Sequence, residues 1–212
     1  MNIEQATWRP SGAEKRRTEK RRKGIFSRFL RDRKGTTSIE FAILALPFFV
    51  VIFASLETFA AFYGDQLLAN ATETMARKVR TGQITFQQGK QTDMSEAQFR
   101  QAFCDEISVL MKCSATEAGL PSQFYLDVRA VSDLSKFPVL IPRKADSTDI
   151  DTTGFKFAPG GPGSFNVVRA YYRWSVFTDL VRPFITNLRP AGSSMPKDYL
   201  MVATATFRNE SE

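Results

Sequence analysis

Phe41 to Leu56 runs without a single charge, and the wider stretch from Thr36 to Tyr63 carries only Glu40 and Glu57. As a helix rising about 1.5 Å per residue, those 28 positions extend about 42 Å, the depth of a hydrocarbon core with both headgroup layers. The two glutamates lie 17 residues apart, about 25 Å by the same rise, so each reaches an interface and neither sits at the costly midplane. A buried core helix is the alternative, but the run is too long and its flank too basic for that reading. Residues 1 to 34 hold 12 Lys/Arg against 4 Asp/Glu, whereas the other 178 residues hold 17 against 18. The formal net charge of +7 therefore belongs to the N-terminal tail.

A basic block directly before an apolar span follows the positive-inside rule and argues against nucleic acid as the partner. It predicts a single-pass protein with a cytoplasmic tail and its remaining residues on the far side. The organisation expected is a basic cytoplasmic leader or tail over 1–35, a transmembrane helix over 36–64, and a periplasmic head over 65–212. A cleaved secretory signal is disfavoured, because 35 residues precede the run and no small-x-small site ends it.

Gly35 offers a side-chain-free position for a peptidase at the cytoplasmic face, and a cut there gives Thr36 a free amine. Glu40 then lies about one helical turn from that charge and could pair with the amine of a neighbouring subunit, setting axial register. Physics leaves a second use open, in which Glu40 snorkels to the interface and Gly35 is a loop residue. Pro47 inside the span removes one helical hydrogen bond, which reads equally as a kink used in packing or as a tolerated irregularity.

The segment Gly35-Thr36-Thr37-Ser38-Ile39-Glu40-Phe41 resembles a type IV prepilin cleavage motif. Arg31-Asp32-Arg33-Lys34-Gly35, with Ile39 to Ala42, Leu46-Pro47 and Glu57, resembles the TadE-like pseudopilins of the tight-adherence (Tad/Flp) pilus system. Cys104 and Cys113, the strand-like Val128-Arg129 and Val168 to Tyr171, and Phe207-Arg208-Asn209-Glu210, similar to the family's C-terminal signature, extend the resemblance through most of residues 31–210. It implies a minor pseudopilin-like subunit of the bacterial inner membrane, processed after Gly35 by a prepilin peptidase. Its partners would be membrane lipid, other Tad pilus or pseudopilin subunits and the secretion machinery. Glu40, Phe41, Pro47 and Glu57 would then serve assembly and register. The alternative class is an uncut, membrane-anchored periplasmic binding or scaffold module.

Beyond the span, Leu68, Ala71, Met75 and Val79 continue the helical period as a stalk. Ser95 to Gln98 resembles a capping box opening a second helix with Phe99, Phe103, Ile107 and Leu110 on one face. Cys104 and Cys113 are the chain's two cysteines, both on the oxidising side, so a disulfide is expected. An unbroken helix would hold them about 13.5 Å apart along its axis, so the helix must end near Met111 and the chain turn back. Phe124–Val131, Phe165–Val176 and Tyr199–Arg208 alternate as strands. The fold class is α+β and pilin-like: a long transmembrane helix continuing as a stalk, a second helix and a small antiparallel sheet.

Residues 132 to 163 read as a long polar loop ending in Pro159-Gly-Gly-Pro-Gly163. Asp146, Asp149 and Asp151 within it lack the glycine and distal glutamate of a recognised calcium loop and read as solvated. The chain contains no histidine, which removes histidine triads and histidine metal sites, and no phosphate-cradling glycine motif appears. The expectation is a protein that is not an enzyme and uses no metal or cofactor.

Overall fold

The structure is a computed structural model that describes residues 36–133, 135, 137, 139–179 and 181–211. The basic tail and Gly35 lie outside the described residues, as does the side chain of Thr36. Two compact units divide at Phe48 and Phe49. The described part of the first is entirely helical, the opening turns of α1 (Thr36–Arg80). The second holds the rest of α1 and a head built from α2 (Glu96–Ile107), α3 (Ala115–Gly119), β1 (Phe124–Val131), β2 (Phe157–Ala158), β3 (Phe165–Ser175), α4 (Arg182–Ile185) and β4 (Asp198–Arg208).

From Glu57 onward, α1 buries one stripe: Glu57, Ala61, Gly64, Leu68, Ala71, Met75 and Val79. Steps of three and four residues keep these positions on one helix face. They join one core with Phe99, Phe103 and Ile107 of α2 and the inward row Val168, Ala170, Tyr172 and Trp174 of β3. Met201, Ala203 and Ala205 of β4 complete it. Gly64 permits the closest approach, since a Cβ there would stand 3.1 Å from Met201 Cε and 3.3 Å from Met111 Cε.

The Ser95 capping box is formed as expected, with Ser95 Oγ accepting from Gln98 N–H and the Gln98 side chain accepting from Ser95 N–H. Cys104 and Cys113 are disulfide-bonded with Cα atoms 5.1 Å apart. Helix α2 ends at Ile107, four residues before Met111, and turns over residues 108–110 supply the reversal.

The sheet has the order β2-β1-β3-β4. β3 pairs antiparallel with both β1 and β4, matching the three expected strands to within a residue or so. The expected small antiparallel sheet is present in β1, β3 and β4, and two-residue β2 adds a parallel pairing at the β1 edge, Val128 opposite Phe157. A long connection lets the chain return along the β1 edge in the same direction, which a hairpin cannot do.

The residues laid over the outer face of the sheet correct the expectation of a solvated loop. Tyr171 is buried there in a small core with Ile150, Leu188 and Leu200, and Arg169 is buried with its guanidinium 4.5 Å from the Phe137 ring centroid. The ring of Phe155 stacks on Tyr171 at 4.8 Å between centroids. Asp149, expected to be solvated, is buried and pairs with Arg173, and with Lys144 at 3.3 Å. The 132–163 segment therefore folds down as a cover. Its apolar residues are too sparse to show a period, yet Phe155 and Ile150 suffice to shield one face of β3.

Candidate functional site: the apolar helix and its junction with the head

Among the described residues, α1 is the one helix long and apolar enough to cross a membrane, and its most apolar window has no buried residue. Phe41, Ile43, Leu44, Leu46, Phe49 and Leu56 are exposed, spread around the helix axis. A helix that exposes bulky apolar groups all round is suited to lipid or to other helices. The hydroxyls of Ser55 and Thr58 donate to the carbonyls of Val51 and Ala54, each at 2.8 Å, so these polar groups are satisfied within the helix. Pro47 sits inside α1 and leaves its helical run unbroken. Glu40 and Phe41 are exposed, Phe41 at 70%.

Glu57 behaves differently from Glu40. It is 9% exposed, and its carboxylate accepts the backbone N–H of Phe177 and that of Thr178, the latter at 3.1 Å. An anionic oxygen facing two amide donors forms charge-assisted bonds. These bonds fasten the segment leaving β3 to the point where α1 changes from exposed to buried. A second bond of the same kind lies eight residues on, where Tyr199 Oη donates to Asp65 Oδ2 at 3.0 Å. The signal for Glu57 was present in the sequence: it continues the 61, 64, 68, 71, 75 spacing one turn further back.

The Phe207–Glu210 signature lies at the other end of the buried stripe. Glu210 N–H donates to Arg80 O at 3.0 Å, and Arg80 and Glu210 approach to 3.6 Å. Asn209 Nδ2 donates to Gly160 O and Gly161 O at 2.7 and 3.1 Å, while Arg208 Nε donates to Gly163 O at 2.9 Å. Gly160 is required there, since a Cβ would stand 2.9 Å from Ala130 Cβ. The signature thus ties the last turn of α1 to the Pro159–Gly163 loop and is a structural clasp. The structure does not bring it together with Glu40 or Glu57.

Sequence reasoning missed Arg100, which is 3% exposed and donates to the carbonyls of Ala118 at 3.0 Å, Glu117 at 3.3 Å and Phe124. Burial pulls its pKa below the ordinary value, and the charges of Glu96 and Glu117 oppose that shift. Its signal was a charge at a buried-stripe position, next to Phe99 and a turn before Cys104. Glu117 caps the opposite side, accepting from the N–H groups of Ser122, Gln123 and Phe124 at 2.6 to 2.7 Å. Burial pushes its carboxyl up, but the accepted bonds from Phe124, Ser122 and Gln123 together hold it below its usual value. These two side chains pin α3 and the start of β1 to α2. No group of three or more metal-ligating side chains occurs among the described residues.

Among the described residues the chain is an α+β protein with one helix long and apolar enough to cross a membrane, the second half of which lies in the core of the head. Residues 35–77 match the family model of TadE-like proteins, which covers the candidate cleavage glycine, Glu40, Pro47, Glu57 and most of the buried stripe. Comparison with characterised proteins and with solved structures gives no match.

Proposed function

We propose that this chain is a minor pseudopilin-like subunit acting in assembly of a Tad/Flp pilus, inserted in the bacterial inner membrane with its tail cytoplasmic and its head periplasmic. The observation that carries the reading is the TadE-like match over residues 35–77, which spans both Gly35 and Glu40. In this reading a prepilin peptidase cuts after Gly35, and Thr36 becomes the N-terminus of α1. Glu40 then meets the new amine of a neighbouring subunit and sets register between helices. The exposed apolar half of α1 supports this, because it offers a surface to lipid before assembly and to pilus subunits or secretion machinery afterwards. Its chemistry is association, with no turnover and no cofactor.

Intact mass after co-expression with the cognate peptidase tests the cut. Loss of residues 1–35 is expected, and a mass unchanged by the peptidase would remove the processing step. Glu40→Ala should abolish piliation while membrane insertion persists. Normal piliation in that variant would end the register role.

A further inference from the structure

The apolar residues left exposed on the head are not scattered. Val109, Leu120, Phe177, Phe184 and Met195 are five of the eight large hydrophobics exposed there, and each belongs to a connection at one end of the sheet. At that end β3 finishes at Ser175 opposite Asp198, and Arg173 N–H bonds to Gln123 O just before β1. Leu110 and Gln123 share a cleft with Trp174 and Phe177, and Met195 shares another with Asp179 and Arg182. Phe177 and Phe184 are the extreme cases, at 76% and 87% exposure.

Hydrogen bonds link the backbone that carries these two rings to α1. Glu57 accepts from Phe177 and Thr178, Thr178 O accepts from Arg182 N–H at 3.1 Å, and Arg182 Nη2 donates to Val176 O at 3.2 Å. The first turn of α4 is therefore coupled through two backbone links to Glu57. Glu57 in turn marks the edge of the span. Glu40 and Glu57 lie 17 residues apart, about 25 Å by helical rise, against a hydrocarbon core of about 30 Å, so with Glu40 at one face Glu57 stands near the other. Whatever is fixed to Glu57 stands at the headgroup layer.

We propose that this end of the head is a lipid-contacting foot, in which Phe177 and Phe184 enter the interfacial layer of the bilayer that α1 crosses and Glu57 sets their height. Aromatic rings favour that layer, where an apolar body is buried and the adjoining backbone stays hydrated. Tyr63, 57% exposed on α1 six residues past Glu57, belongs to the same belt. The consequence is that this end of the head faces the headgroup layer. The inference rests on α1 being a membrane span.

The test uses the full chain, one copy per nanodisc, with lipids brominated near the carboxyl end of the acyl chain. Single substitutions Phe177→Trp and Phe184→Trp report depth, with emission from Trp8 and Trp174 of the parent subtracted. Phe53→Trp reports the span, and Phe165→Trp, at the opposite end of the sheet beside Arg208, is the dry control. Bromine should remove most of the added emission at 53, 177 and 184 and leave that at 165 unchanged. Quenching at 53 without quenching at 177 and 184 would overturn the foot while sparing the span. Blue-shifted but unquenched emission at 177 and 184 would overturn it in favour of a protein partner covering the rings. Absence of quenching at 53 would instead overturn the span itself, and the foot with it. Glu57→Ala should reduce quenching at 177 and 184 and leave that at 53 intact; unchanged quenching would overturn its height-setting role.

Discussion

Helix α1 contains two regions with the same backbone and opposite surroundings. Residues before Glu57 present bulky apolar groups around the whole circumference, whereas those after it bury one stripe, still expose Phe59, Phe62 and Tyr63 in the next two turns, and then leave Glu73, Arg77 and Arg80 exposed. Helical backbone is common to both, with one N–H missing at Pro47 in the first, so the fold of the backbone does not account for the difference. What differs is the intended neighbour: a surrounding apolar medium for the first, a sheet on one side for the second. Glu57 stands at the change of regime, as a charge that is acceptable because two amide donors are already in place.

The comparison breaks most readily at the stripe. Met75 is fully buried among α1, α2 and the sheet, so Met75→Ala should lower the head's unfolding free energy by about 2 to 5 kcal/mol through lost transfer energy and a cavity. Val51→Ala, in the exposed half, should leave head stability within about 0.5 kcal/mol of the parent. Chemical denaturation in a fixed micelle, followed by near-UV signals from the head aromatics, separates the two. Equal losses would mean that the halves are not energetically distinct. Within the head, Cys104→Ser with Cys113→Ser should cost about 2 to 3 kcal/mol, the loop-closure entropy of a short bridge, in the same assay.

A smaller effect is expected at the boundary. Glu57→Ala leaves the N–H groups of Phe177 and Thr178 without their acceptor and should cost about 1 to 3 kcal/mol. Glu57→Gln, which keeps one carbonyl oxygen, should cost less. Amide hydrogen exchange gives the sharper readout, because loss of the bonds should speed exchange at residues 177 and 178 while Met75 and Leu68 stay protected. Uniform acceleration along α1 would show that Glu57 supports the whole helix and not its junction.

Much of this arrangement was legible in the residues. The span, the Ser95 cap, the α2 face and three strands follow from periods of 3.6 and 2.0 that tertiary contacts reinforce. The paired cysteines were legible too, as was a helix end between them. What could not be read depends on neighbours brought from far along the chain. Glu57 meets Phe177 across 120 residues, and the cover over Tyr171 is made by isolated residues such as Phe155 and Leu188 that carry no periodic signal. Two-residue β2 is below the length at which alternation can be recognised. Arg100 was hidden for another reason: a charge on an apolar stripe looks like an interruption until the carbonyls that receive it are known.

The smallest predicted effect concerns acid, and it confines pH sensitivity to the head half of the comparison. The Glu117 carboxyl lies below its ordinary value of 4.5 in the folded state, because its accepted backbone and hydroxyl bonds outweigh burial. A depressed folded pKa means that the unfolded chain binds the proton more readily, so stability falls as pH drops. The contribution is complete above the unfolded value and is lost as pH falls through the folded one. Glu117 is partly exposed to solvent, so screening keeps the effect modest. Glu117→Gln should lower Tm at neutral pH, where the charged acceptor is lost, and flatten the decline of Tm below about pH 4.5. Thermal scans of parent and variant from neutral to acid pH measure both changes. Parallel curves would assign the acid limb to other carboxylates and leave Glu117 a purely geometric cap.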